Sequence, residues 1–356
     1  MNREYKRSVP LSLAECNELT HLISKILFTE HPPVIIPAEA ILGIEAVAAG
    51  IAAPGRTIVN VVTGPYGSLF GKWLERGGAT VVEVKVPFDE VVTGDQVASA
   101  IKEFSPCALS FVQAEVVTGG SNPAKEIFEI AKEFNLITVT DSVSAVGGEA
   151  LLVDEWGVDF AVIGAQKALA GPNGVSAVSI SPRGWEFLES NENAPRNSIL
   201  SLLDLKPSLD GATPLRVAPN IPTLEARALI VALAQIEEEG LEQVIERHER
   251  AATSAIAGIQ ALGLEPWQKD SRHYSTLTTT VRITGKQDLQ IEKPIGIVAP
   301  GDGELFGHLL RINHFGTNAV LQSVEEAIST LAQLLKKDPD QALQALRLAW
   351  GNEDDL

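Results

Sequence analysis

The chain alternates between two hydrophobic periods, and that alternation predicts its architecture. Apolar residues at Leu13, Leu19, Ile23, Ile26 and Leu27 keep helical spacing behind a Ser12/Glu15 capping box, which predicts a first helix ending near Phe28. Short apolar runs bounded by turn residues predict strands at 34–36, 57–63, 80–86, 108–113 and 136–140. Helical patterns at 39–51, 67–76, 95–104 and 124–134 lie between them. Strands alternating with helices of that length imply right-handed crossovers and a mainly parallel sheet.

After Pro182 the rhythm breaks. Residues 189–222 are rich in Asn, Ser, Pro and Asp and read as long connections. Helices at 224–239 and 241–262 then lead to strands at 277–283, 295–298 and 308–312, and to a helix at 324–336. A helical piece at 338–348 precedes a frayed Asn-Glu-Asp-Asp-Leu end. The expectation is an α/β protein with a large domain over 1–240 and a smaller α+β domain over 241–356.

Composition narrows the possibilities. At 356 residues and 45% hydrophobic, the chain can bury a substantial core, and 21% charged residues argue against wholesale disorder. A net charge of -18 argues against a nucleic-acid surface, which needs clustered Lys and Arg. Cys16 and Cys107 are too few and too far apart for a zinc knuckle or a CxxC redox pair, so no metal is expected. With neither a signal-like N-terminus nor a membrane-length apolar run, the expected location is the cytoplasm.

The chemistry concentrates between Ile137 and Ser176. An apolar strand stops at Asp141-Ser142-Val143, and the next apolar run, 159–164, stops at Ala165-Gln166-Lys167. Either residue alone has an ordinary explanation: Asp-Ser caps helices, and a strand-end lysine is commonly solvated. Together, one helix–strand unit apart, they can converge on one ligand at the carboxyl edge of a sheet. An acid for a pyridinium nitrogen and a lysine for an aldehyde are the two groups a pyridoxal cofactor requires. Small neighbours at Ala165, Ala168 and Ala170 and the Gly171-Pro-Asn-Gly174 turn let backbone approach such a ligand. Gln166 adds a neutral hydrogen-bonding group, and Val143 is placed to pack against one ring face.

The segment DSVSAVGGEALLVDEWGVDFAVIGAQKALAGPNGVS resembles the cofactor region of the class V, fold-type I aminotransferases, in particular the alanine–glyoxylate and serine–pyruvate group. The likeness runs from about Val34 to the last helix and implies a pyridoxal phosphate homodimer with a large and a small domain. Arg311 in LLRINHFGTNA matches the arginine that grips the substrate carboxylate, a task suited to a planar guanidinium fork. Tyr66 falls where the family stacks an aromatic ring on the cofactor, and Thr118 falls in the segment near the cofactor's phenolic oxygen.

Two departures bear on the phosphate. The turn that resembles the family's phosphate cradle carries Glu39, an acid that repels a dianion, and the segment Val217-Ala218-Pro219-Asn220 lacks the hydroxyl of the family's Thr-Pro. Both are similar to the branch of the family that pairs unphosphorylated pyridoxamine with pyruvate. A second arginine expected in that branch would fall near Asp302, and the family's N-terminal Gly-Pro segment has no counterpart before Ser12.

The resulting expectation is an aminotransferase that moves an amino group from a small amino acid or amine to a small 2-oxo acid such as pyruvate or glyoxylate. The alternatives are transamination of the free vitamer as substrate, a lyase or racemase using the same cofactor, and a cofactor-binding protein without turnover. His308 and His314, flanking Arg311, are read as structural. No membrane or nucleic-acid partner is expected.

Overall fold

The computed structural model describes residues 9–206 and 221–351. Its centre is a seven-stranded sheet in the order β1-β9-β8-β7-β4-β2-β3. These strands are β1 (Val34–Ile36), β2 (Thr57–Val62), β3 (Thr80–Lys85), β4 (Ala108–Val112), β7 (Ile137–Asp141), β8 (Phe160–Gly164) and β9 (Ser176–Ile180). A small hairpin of β5 (Ala114–Glu115) and β6 (Gly120–Ser121) follows β4. The five strands from β8 across to β3 run parallel, and β9 and β1 are antiparallel to their neighbours.

Strand periodicity explains why the sheet is buried on both faces. Along β8, Phe160 and Val162 join one apolar cluster while Ala161 and Ile163 join the other. Phe160 has no exposed surface, a burial that stabilises by about 1.5–3 kcal/mol. Helix α1 (Leu13–Ile26) begins with the predicted capping box, both of whose hydrogen bonds form. Helix α2 (Ala40–Ile51) crosses β8 at Gly43, where an added Cβ would lie 3.1 Å from Val162. Helix α3 (Pro65–Arg76) starts directly after β2.

Strand order also locates the crevice. From β2 the chain moves outward to β3, then crosses back to β4 and continues through β7 and β8. The turn of direction lies between β2 and β4, and open α/β sheets receive ligands at such a point, outside the carboxyl ends of the strands. Tyr66 follows β2, Glu115 follows β4, Asp141 ends β7 and Lys167 follows β8.

A second core surrounds an antiparallel sheet in the order β10-β12-β11, formed by β10 (Thr279–Arg282), β11 (Val298–Pro300) and β12 (Leu309–Ile312). Helices Leu241–Ala261, Leu321–Leu334 and Asp340–Trp350 cover it. Most elements lie close to the ranges read from the sequence. The exceptions are β9, the β5–β6 hairpin and the helices Val153–Trp156, Pro182–Glu189 and Leu202–Leu205, none of which the periodicity predicts. β11 begins at Val298, where the reading ends the strand, because Ile295 and Val298 pair with each other across a tight turn.

Candidate active site

Lys167 sits in the turn after β8, mostly withdrawn from solvent, with its Nζ 5.2 Å from the centre of the Phe315 ring. Burial and then the Arg311 guanidinium hold its amine below the usual lysine range, while Glu39, Asp141 and Asp302 pull the other way. Arg311, Glu39, Asp141 and Asp302 come from four separate stretches of chain, and all four lie close enough to act on the Lys167 charge.

Asp141 ends β7, where its Oδ1 accepts the Val143 amide at 3.0 Å. Burial pushes its carboxyl up to about 6, against the Val143 amide and the Lys167 charge, which lower it. Val143 packs its Cγ1 against Gly164, where an added Cβ would come within 2.5 Å. Tyr66 stands in the first turn of α3 and keeps 38% of its surface exposed, so its ring forms part of the cleft wall. Burial, then Glu115, Asp141, Asp302 and Glu39, push its phenol above the ordinary range. A small cavity lined by Tyr66, Gly67, Phe70, Ser110 and Asp141 lies beside it.

Glu39 is the N-cap of α2. Its Oε2 accepts the Ile41 amide at 2.9 Å, and its Oε1 accepts Gln166 Nε2 at 2.6 Å. The carboxylate therefore occupies the helix end where a phosphate would find free amides and a favourable dipole. Gln166 Oε1 is buried without a hydrogen-bond partner, an acceptor left over beside the cleft.

Arg311 lies on β12, its Nη1 2.9 Å from Asp302 Oδ2 and its Nε donating to the Pro300 carbonyl at 3.2 Å. Thr118 behaves differently from the other sequence candidates. It is fully buried, its hydroxyl donates to the Glu115 carbonyl, and its own carbonyl accepts Thr280 Oγ1 and Gln268 Nε2. It ties the β5–β6 hairpin to the second sheet and presents no surface to the cleft. The Val217–Asn220 segment lies outside the described residues.

Sequence reasoning missed two residues. Glu115 is 1% exposed, and neither carboxyl oxygen has a hydrogen-bond partner. It packs so closely on Gly64 that a Cβ there would lie 2.2 Å from its Cγ. It faces the Tyr66 and Gly67 amides at the open end of α3, neither of them aligned for a standard hydrogen bond. Burial and then Asp141 push it up to about 8. An acid inside the apolar run FVQAEVV was the available signal. The second is Phe315, whose place beside Lys167 no local pattern announces. His314, in contrast, is buried with Nε2 on Thr279 Oγ1, and His308 is exposed, so neither reaches into the site.

The arrangement fits the pyridine portion of pyridoxal. An amine and an acid that act on each other, a half-exposed tyrosine that feels the same acid and an unpartnered amide oxygen next to the lysine are the groups such a ring would need. It does not fit a phosphate ester at the α2 terminus as long as the Glu39 carboxylate remains there.

Comparison with known proteins identifies the family. The profile of the family Aminotransferase class-V matches residues 37–292. The pyridoxamine–pyruvate transaminase of Mesorhizobium japonicum is 31% identical over 302 residues, covering 83% of this chain and 76% of that protein. Among solved structures, pyridoxamine–pyruvate aminotransferase from Mesorhizobium loti superposes with a TM-score of 0.88 at 27% identity, covering 94% of this chain and 88% of that one. Ureidoglycine–glyoxylate aminotransferase from Bacillus subtilis does so with a TM-score of 0.87 at 26% identity, covering 95% and 90%.

Proposed function

Because the chain belongs to the Aminotransferase class-V family, the pyridoxal-dependent aminotransferases of fold type I, we propose that it moves an amino group from a small amino donor to a small 2-oxo acid such as pyruvate or glyoxylate. What supports this reading is that Asp141 and Lys167 stand at the carboxyl ends of the paired strands β7 and β8, and that Asp141 and Arg311 both act on the Lys167 amine.

Pyridoxal, when bound, supplies an aldehyde and a ring able to accept carbanion electrons. The chain supplies the rest. Lys167, whose amine burial and Arg311 hold below the usual lysine range, would move the proton at the donor's α-carbon. Asp141 would hold a proton on a ring nitrogen, Val143 and Tyr66 would pack against the two ring faces, and Gln166 Oε1, which has no partner of its own, would accept a hydrogen bond. Arg311 would bind the carboxylate of the oxo acid through two parallel hydrogen bonds. The same reading carries a homodimer and a cytoplasmic location. Among the described residues no helix is long and apolar enough to cross a membrane.

A specific observation favours a narrower reading in which free pyridoxamine is the donor. Glu39 fills the α2 terminus and would meet an uncharged hydroxymethyl group as a hydrogen-bond acceptor, where it would repel a phosphate. The test is an absorbance titration of wild type and Lys167→Ala with pyridoxal and with pyridoxal phosphate, followed by assay of pyridoxamine or alanine against pyruvate or glyoxylate. Wild type should develop an imine band that Lys167→Ala lacks, and should form an amino acid from the oxo acid. A band in both proteins, or no amino acid product from any pair, would refute the assignment.

A further inference from the structure

The Arg311 fork is already engaged by the chain's own acid. Asp302 meets it at 2.9 Å, with the arginine side chain 14% exposed and the aspartate 60% exposed, so the guanidinium lies inside and its partner stands at the mouth. Asp302 lies between Gly301 and Gly303, the latter at φ +54, and its side chain caps no helix amide. Its carboxylate is therefore held in place by Arg311 and not by the turn that carries it. Asp302 also acts on Lys167 and Tyr66, which puts it within electrostatic reach of the reacting groups.

We propose that Asp302 is an internal stand-in for the substrate carboxylate, holding the Arg311 fork most of the time and competing for it with an incoming 2-oxo acid. This rests on the reading of Arg311 as the carboxylate grip. Two consequences follow from charge alone. A carboxylate substrate must compete with Asp302, so its apparent affinity is reduced by the fraction of time the fork is free. An amine donor that carries no carboxylate meets no such competitor, and the acids at Glu39, Asp141 and Asp302 favour its cationic form. Asp302 is thus a specificity residue that separates the two half-reactions by the charge of their substrates.

A half-exposed pair of this kind contributes up to a few-fold in an equilibrium, and removing a like charge beside the incoming carboxylate adds to it. Asp302→Asn should bind oxamate, an unreactive carboxylate of pyruvate's shape, about fivefold more tightly than wild type, as if the native fork were free about one fifth of the time. Titration calorimetry on the full chain, with and without pyridoxal, measures this without turnover. Asp302→Glu should restore weaker binding, and Arg311→Gln should lose it. In the assay, the Asp302→Asn gain should fall on the KM for the oxo acid more than on kcat. Oxamate affinity that is equal or weaker in Asp302→Asn, or undiminished in Arg311→Gln, would overturn the proposal. The two readings fail separately. A chain that transfers no amino group yet shows the oxamate shift keeps this inference and loses the functional one, and the reverse result does the opposite.

Discussion

Asp141 and Glu115 are two carboxyls that act on each other from different surroundings, and each difference has a measurable outcome. Asp141 must be ionised to hold a proton on a ring nitrogen, and burial places its titration near 6. The acid limb of kcat/KM should therefore fall near pH 6, and Asp141→Asn should lower kcat on the order of a hundredfold or more in steady-state assays. Glu115 ionises near its ordinary 4.5 when unfolded but keeps its proton to about 8 when folded. The folded state binds the extra proton across that window, so its contribution to stability is full below 4.5 and is lost as pH rises toward 8. Glu115→Gln removes this loss, and its melting temperature should decline less than wild type's between pH 5 and 8 in scanning calorimetry. Of the proposed site residues, Lys167, Asp141, Gln166 and Val143 were singled out from strand-end positions, and Tyr66, Glu39 and Arg311 from the family resemblance. Glu115 was not, because a lone acid in an apolar run carries no sign of what its side chain faces.

Among elements, the loop after β12 governs how Lys167 is held. The Gly316 amide donates to His248 Nε2 at 2.9 Å, which leaves the Nδ1 proton of that ring to the Val244 carbonyl at 2.7 Å. Burial holds His248 down at about 4, so it remains a neutral acceptor at physiological pH. Gly316 itself has φ +63 and leaves room for the Lys167 carbonyl, which an added Cβ would approach to 2.7 Å. Gly316→Ala should lose about 1–2 kcal/mol to backbone strain alone. Because the clash falls on the lysine's own backbone, imine formation should drop more than stability does, which absorbance and thermal melts on the same variant would separate. No residue period marks this contact, since it joins residues about 150 positions apart.

At the scale of the whole molecule, the cleft depends on how the two sheets meet. Thr118 ties the β5–β6 hairpin to the second sheet through its carbonyl, and Arg311 on that sheet acts on the Lys167 amine of the first. A ligand that binds only the folded arrangement stabilises it by mass action, about 2.7 kcal/mol at a hundredfold excess over its Kd. At equal concentration, pyridoxal should raise the melting temperature of wild type more than pyridoxal phosphate does. Glu39→Ser should reverse that order by freeing the α2 terminus for the phosphate. A larger rise with the phosphate ester in wild type would count against the narrower reading. Light scattering on the purified chain tests the homodimer.

Alternating polarity and capping residues were enough to determine the parallel sheet, most of its crossover helices and the strand ends at which Asp141 and Lys167 stand, because those features follow from neighbours a few residues apart. The direction of β9 and the engagement of each charge were decided only in three dimensions. Glu39 closing α2, Asp302 holding Arg311 and Glu115 lying against Gly64 all join distant or differently oriented groups. Their partners are selected by packing, and packing is a property of the folded chain as a whole.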